Sequence, residues 1–180
     1  FVSAAEGSAR QIACTPEERF QLTADKVQAA WNATTRGDSN VKTRGVLLAS
    51  PSNPTGTSIH PDELRRIHEV VSARGGVTMV DEIYLGLSHD AAFAQSALAI
   101  DDQIISINSF SKYFSMTGWR LGWLVVPDPL VSVVEKLAQN LYICPSTIAQ
   151  RAALACFEPA SLAEYERRRA EFKARRDYFI

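Results

Sequence analysis

The sequence predicts an α/β fold, a mostly parallel sheet flanked by helices. Two observations carry that expectation. Short, unbroken apolar runs at 45–49, 77–80 and 104–108 each stop at a cluster of turn-forming or polar residues, as strands buried on both faces do. Between them lie stretches whose apolar residues recur every three or four positions, the period of an amphipathic helix, so strand and helix alternate along the chain.

In chain order, Gln11-Ile12-Ala13-Cys14 is a short apolar run consistent with a strand, and Thr15-Pro16-Glu17-Glu18 reads as a helix or turn entry. Val27, Ala30 and Trp31 sit at helical spacing and predict a helix over 23–33, followed by a polar connector over 34–43. Gly45-Val46-Leu47-Leu48-Ala49 is the first buried strand, ended by the turn Ser50-Pro51-Ser52-Asn53-Pro54-Thr55-Gly56. His60-Pro61-Asp62-Glu63 opens a helix, with Pro in its first turn and acids at its positive end. Its apolar stripe is Leu64, Ile67, Val70 and Val71, and Gly75-Gly76 closes it. A second strand over 77–80 ends at Asp81-Glu82, a third over 104–108 ends at Ser109-Phe110-Ser111-Lys112, and a fourth over 121–126 is stopped by Pro127. Helical patterns follow over 129–141, 146–157 and 161–180, the last rich in Arg and Glu.

With 180 residues, 46% of them hydrophobic and 22% charged, the chain can build one sizeable core and is too short for two ordinary domains. Nineteen Lys and Arg against twenty Asp and Glu leave a net charge of −1, so no basic field exists to hold nucleic acid or an anionic membrane. No apolar run approaches the roughly 20 residues that span a bilayer, and no signal-peptide pattern opens the chain. A cytoplasmic location is therefore expected, with neither nucleic acid nor membrane as partner. Cys14, Cys144 and Cys156 are odd in number and scattered, which predicts buried free thiols rather than a disulfide framework or a zinc site. The chain starts at Phe1 rather than Met, and 175–180 stops inside a helical pattern with no Gly or Pro. An internal piece of a longer protein is expected.

In open α/β sheets, ligands sit outside the carboxyl ends of the strands. Those ends carry Asn53 after the first buried strand, Asp81 and Tyr84 after the second, and Ser109, Ser111 and Lys112 after the third, with Arg120 close behind. This donor set suits an anionic, aromatic, carbonyl-bearing cofactor, and pyridoxal phosphate is the foremost candidate. A lysine amine forms a Schiff base with its aldehyde, a carboxylate keeps the pyridine nitrogen protonated, and hydroxyls with a guanidinium bind the phosphate.

Three strings carry a resemblance: Ser52-Asn53-Pro54-Thr55-Gly56, Val80-Asp81-Glu82-Ile83-Tyr84, and Ser109-Phe110-Ser111-Lys112 running into Met116-Thr117-Gly118-Trp119-Arg120-Leu121-Gly122. In this order, with separations of 28 residues from Asn53 to Asp81, 31 from Asp81 to Lys112 and 8 from Lys112 to Arg120, the chain resembles the class I/II aminotransferases. These are the aspartate-aminotransferase-like group of the fold-type I pyridoxal-phosphate enzymes. The resemblance implies that Lys112 forms the Schiff base and moves the substrate proton, and that Asp81 pairs with the pyridinium nitrogen. It implies that Tyr84 and Asn53 hydrogen-bond the ring oxygen, with Asn53 also reaching the substrate carboxylate. Ser109, Ser111 and Arg120 then share the phosphate, and Ile83 packs on one ring face.

The implied activity is transfer of an amino group between an amino acid and a 2-oxo acid, in a homodimeric parent. The same cofactor set serves pyridoxal-phosphate-dependent β-lyases and non-catalytic, aminotransferase-like sensor domains of transcription regulators, and both remain alternatives. The family's upstream phosphate loop, ring-stacking aromatic, partner-lent tyrosine and C-terminal carboxylate-binding arginine have no counterpart in the sequence. Residues 1–158 are thus expected to form part of a cofactor-binding large domain and 159–180 a helix leading toward a small domain. Such a piece is expected to be inactive alone, with exposed sheet edges and gaps in its core.

Other features read as structural. Arginines from 167 to 176 interleave with Glu164, Glu166, Glu171 and Asp177, which predicts a solvated helix face. His60, His68 and His89 share no metal-ligand spacing and are assigned to loops or a polar helix face. Trp119, Trp123 and Tyr113 read as packing residues, with Tyr113, next to Lys112, at the mouth of the site.

Overall fold

The computed structural model describes residues 2–37 and 42–180. Four strands, β1 (Gly45–Ala49), β2 (Val77–Asp81), β3 (Ile105–Ser109) and β4 (Gly122–Val125), form one sheet in the order β1-β2-β3-β4. The first three run parallel and β4 pairs antiparallel with β3. Helices α1 (Ala24–Gly37) and α2 (Pro61–Ser72) belong to the first half of the chain. Helices α3 (Asp128–Leu141), α4 (Thr147–Leu154) and α5 (Pro159–Phe179) follow β4.

The main core forms where α1 and α2 cover β1 and β2. Val27 and Trp31 of α1 meet Leu64, Ile67 and Val71 of α2 over Leu48, Val80 and Ile104. The entry to α2 follows the sequence pattern, since the His60 ring accepts from Asp62 N (3.3 Å) and Pro61 takes the first turn, where no N–H is needed. Glu63 accepts from Ala24 N at 2.7 Å and ties α2 to the start of α1. At its far end the chain turns through Gly75, in the left-handed region at φ +67°, and a Cβ on Gly76 would lie 2.3 Å from the Trp31 ring. A second, smaller cluster gathers Met116, Leu121, Ala149, Ala153 and Cys156 under α4 and the start of α5.

Several expectations need correction. Residues 11–14 form no strand; they run alongside α1, where Lys26 Nζ donates to Ala13 O (2.8 Å). The turn entry after them is a 3-10 turn, Pro16–Glu18, closed by a capping box between Thr15 and Glu18. Helix α1 continues to Gly37 into the expected connector, of which 38–41 lie outside the described residues. Strand β1 is not sealed on both faces, because it ends the sheet and Leu47 is 61% exposed. All of β4 is exposed, and α3 has no buried residue. His68, expected on a polar face, is buried: its ring bonds Thr78 Oγ1 (3.0 Å), with Nε2 3.3 Å from Asp101. Of the cysteines only Cys156 is buried; Cys144 is exposed in the α3–α4 connection. Trp119 and Trp123 are also substantially exposed, although Trp123 packs edge-on to Phe110.

The arginines of α5 follow expectation in pairing along their own helix: Arg167 with Glu164 and Glu171, Arg168 with Glu164, and Arg175 with Glu171. Hydrogen bonds from Arg167 and Arg168 hold the Glu164 carboxyl down to about 2. Among the described residues no helix is long and apolar enough to cross a membrane.

Candidate functional site

Because β1, β2 and β3 are parallel, their carboxyl ends share one edge of the sheet. Ala49 pairs with Asp81 and Asp81 with Ile107, and the ladder continues past the strands through Ser50 N to Asp81 O (3.0 Å) and Glu82 N to Ile107 O (2.8 Å). The chain leaves β1 through the turn around Asn53, where Gly56 N donates to Ser52 O and Gly56 takes φ +67°. It leaves β2 through a 3-10 turn, Leu85–Leu87. These two exits bring Asn53 and Tyr84 together, with Asn53 Nδ2 donating to the Tyr84 hydroxyl at 3.2 Å. Lys112 arrives from the β3 exit with its Nζ 5.5 Å from the centroid of the Tyr84 ring, within cation–π range.

Asp81 and Glu82 are neighbours in sequence and opposites in role. Asp81 is half-buried at the end of β2, where Oδ1 accepts from Ile83 N (3.1 Å); no cation pairs with it among the described residues. Glu82 is 3% exposed and points inward. Its carboxylate accepts from Ser106 Oγ (2.5 Å), Ser96 Oγ (2.8 Å) and Ala97 N (2.6 Å), and Asn108 Nδ2 donates onward to Ser106 Oγ (2.7 Å). This charge is therefore satisfied internally and locks the exit of β2 to β3.

The connection from β3 to β4 carries Ser111, Lys112 and Arg120, and it is pinned across its base. Phe110 N donates to Leu121 O (3.1 Å) and Met116 N to Phe110 O (3.0 Å). Ser109 Oγ donates to Leu121 O (3.3 Å) and accepts from Ser111 N (3.0 Å), so its hydroxyl is engaged with the loop backbone. Thr117 Oγ1 donates to Ser111 O (2.6 Å), a role that its place in the motif does not disclose. Arg120 adopts a left-handed backbone, φ 53°, and its guanidinium donates to Thr117 O (2.9 Å). Neither Lys112 nor Arg120 has a carboxylate partner among the described residues.

Sequence reasoning also missed the links from this loop to α5. The Tyr113 hydroxyl donates to Glu166 at 2.6 Å, a pair 53 residues apart in sequence. Burial, with the Glu166 carboxylate beside it, pushes the Tyr113 phenol up to about 12, and the same bond, with Arg169, holds Glu166 below the usual carboxylate range. Arg168 donates to Ser115 Oγ (3.0 Å) and Arg169 to Ser88 O (2.8 Å). Gly86 packs under Tyr113 so closely that a Cβ there would lie 2.8 Å from the ring.

The sheet edge thus gathers an amine, a guanidinium and a carboxylate, all without ionic partners among the described residues, beside a tyrosine–asparagine pair. This arrangement fits a ligand that brings its own anion, a cationic ring nitrogen and a carbonyl carbon. Beside it, a broad cleft of about 1040 Å³, lined by Ile107, Arg120, Trp123, Leu124, Tyr142 and Ala149, opens along the bare face of β4.

Comparison with known proteins shows the family. The family profile "Aminotransferase class I and II" matches residues 1–180. The chain is 39% identical over 171 residues to a valine–pyruvate aminotransferase of Mycobacterium tuberculosis, covering 94% of this chain and 42% of that protein. It is 37% identical over 140 residues to an aspartate aminotransferase of Sulfurisphaera tokodaii, covering 77% and 35%. The crystal structure of an aminotransferase from M. tuberculosis superposes with a TM-score of 0.85 at 38% identity, over 98% of this chain and 43% of that one. The chain therefore spans less than half the length of these relatives.

Proposed function

This chain belongs to the class I and II aminotransferase family, and from that premise we propose that it forms the cofactor-binding part of a pyridoxal-phosphate-dependent aminotransferase. In this reading residues 1–158 contribute to a large domain and 159–180 lead toward a small one, in a homodimeric cytoplasmic protein. The observation that carries the proposal is the convergence of Asn53, Tyr84 and Lys112 at the carboxyl edge of the parallel strands, with Asp81 at the same edge.

Pyridoxal phosphate, when bound, supplies an aldehyde that captures amines and a ring that stores the electron pair left when a Cα–H bond breaks. Lys112 provides the amine that holds that aldehyde between turnovers. With an amino acid bound, Lys112 Nζ would be the base that takes the proton from the substrate Cα and the acid that gives it back. Asp81 keeps a proton on the ring nitrogen, the condition for electron storage. Tyr84 and Asn53 hydrogen-bond the ring oxygen, Asn53 also reaches the substrate carboxylate, and Ile83 supports one ring face. Arg120 and Ser111 would hold the phosphate, Arg120 through its fork of donors; Ser109, expected to join them, would first have to release its proton from Leu121 O. Over the two half-reactions one amino acid would give up its amine and leave as its 2-oxo acid, water supplying the carbonyl oxygen, and a second 2-oxo acid would take the amine and release that water.

The test is to treat the full-length parent with pyridoxal phosphate, reduce with borohydride and map the pyridoxyl group by peptide mass. A single label on Lys112, with amino transfer that requires a 2-oxo acid acceptor, supports the reading. Scattered label overturns it, and release of pyruvate and ammonia without an acceptor would assign a β-lyase instead.

A further inference from the structure

We propose that Tyr113 and Glu166 are positioning residues for Lys112, with α5 acting as a clamp that sets the gap between the Lys112 loop and the Tyr84 loop. The proposal rests on the assignment of Lys112 made above.

The loop from Phe110 to Met116 and the 3-10 turn after Tyr84 have no sheet or long helix of their own to fix them where Lys112 and Tyr84 meet. Helix α5 grips both. On the lysine side, Tyr113 donates to Glu166 and Arg168 donates to Ser115. On the tyrosine side, Arg169 donates to Ser88 O while pairing with Glu166 at 2.7 Å. Glu166 thus bonds the lysine arm directly, through Tyr113, and is linked to the tyrosine arm through its α5 neighbour Arg169. The Tyr113 ring is held by Phe114 (5.0 Å, edge-on) and Tyr165 (5.5 Å), and it rests on Gly86, two residues beyond Tyr84. The phenol therefore spans the two loops, and its hydroxyl is the end that α5 holds.

A hydrogen bond from a neutral phenol to a carboxylate is charge-assisted and short, which makes it a directional restraint rather than loose packing. Releasing it leaves the Lys112 backbone fixed mainly by the pins at the base of the loop. Small misplacement of a reacting group is costly, about 10²-fold for 1 Å, so a partial release should show as a loss of several-fold.

The experiment uses the full-length parent and the variants Tyr113→Phe, Glu166→Ala, Glu166→Gln and the double variant Y113F/E166A. The first readout is the rate at which Lys112 of the apo protein captures added pyridoxal phosphate, quenched with borohydride and mapped by peptide mass. The second is the separation of kcat from KM in amino transfer. Y113F and E166A should each slow capture at Lys112 about three- to tenfold, leave other lysines unchanged, and lower kcat with KM within about twofold. The double variant should be no worse than the poorer single one, because both remove one contact. E166Q, whose amide oxygen still accepts from Tyr113 but whose amide nitrogen cannot pair with Arg169, should fall between the unaltered protein and E166A.

Unchanged capture and kcat in Y113F and E166A overturn the proposal, as does an E166Q defect equal to that of E166A. Glu166 is partly exposed on a helix surface, so its two variants decide the matter even if Y113F folds poorly. If Lys112 of the unaltered protein takes no label, the assignment of Lys112 falls and the positioning role with it. If it labels normally and the variants match it, only the positioning role falls.

Discussion

Where α1 and α2 cover β1 and β2, Ile67, Val71, Val80 and Ile104 have no exposure to solvent; across the sheet, every residue of β4 is exposed and Leu137 and Leu141 of α3 face outward. The candidate site draws on both regions. Asn53, Asp81 and Tyr84 stand on exits from the sealed half, and Glu82 anchors one of those exits internally. Lys112 and Arg120 stand on the loop that leads into the open half, held by its own backbone pins and by α5. The contrast teaches that the two sides of one candidate site can be secured by different means, burial in one case and long-range hydrogen bonds in the other.

The sharpest way to break this contrast is through Asp81 and Glu82. In the full-length parent, Asp81→Ala and Lys112→Ala should each lower kcat/KM by about 10²–10⁴-fold while the unfolding midpoint stays put. Glu82→Ala should do the reverse, costing about 2–5 kcal/mol of stability because the buried donors of Ala97 and Ser106 and the half-buried one of Ser96 lose their acceptor. Equal stability loss in Asp81→Ala and Glu82→Ala would erase the division of labour.

Next in size is packing. In denaturant titration of the 180-residue chain, Ile67→Ala should cost about 2–5 kcal/mol, whereas Leu137→Ala should stay within about 0.5 kcal/mol. Comparable costs would mean that the two halves are packed alike.

A smaller effect is expected at alkaline pH. The Tyr113 phenol titrates near 10 when unfolded and at about 12 when folded, so the folded state holds the extra proton between those values. Its stabilisation is complete below pH 10 and falls as pH rises toward 12. Unfolding midpoints across that window should decline in the unaltered chain and decline less in Tyr113→Phe. Smallest is the effect of Glu164, whose folded value of about 2 lies below the usual carboxylate value of 4.5. Its contribution is present above pH 4.5 and disappears as pH falls toward 2, and because the side chain is solvated, circular dichroism should register only a slight change that Glu164→Gln removes.

Much of the sealed half is legible in the sequence because its signals are local. Apolar runs that end in Pro, Gly and Asn mark β1 and β2, and the Leu64–Ile67–Val71 spacing marks the buried face of α2. The positions of Asn53, Asp81, Tyr84 and Lys112 follow from strand ends alone. What the sequence does not carry is sidedness. Asp81 and Glu82 must point to opposite faces, since strand side chains alternate, but which face is covered depends on distant elements. The exposure of Leu47 and of β4 has the same origin, for an apolar run reads alike at an edge and in the middle of a sheet. His68 is misread because its partners, Thr78 and Asp101, come from other elements. The Tyr113–Glu166 bond joins residues 53 apart and leaves no periodic trace.

The antiparallel return from β3 to β4 has one more consequence. Lys112 and Arg120 ride on a single closed loop whose base is stapled by Phe110, Leu121 and Ser109 and whose interior is cross-braced by Thr117 to both Ser111 and Arg120. It behaves as a caliper whose arms pivot on fixed points: the loop sets the separation of the Lys112 and Arg120 backbones, and each side chain reaches out from there. Inserting or deleting one residue between them would not weaken one grip and spare the other. It would change the gauge, and with it the length of any molecule that both ends can hold at once.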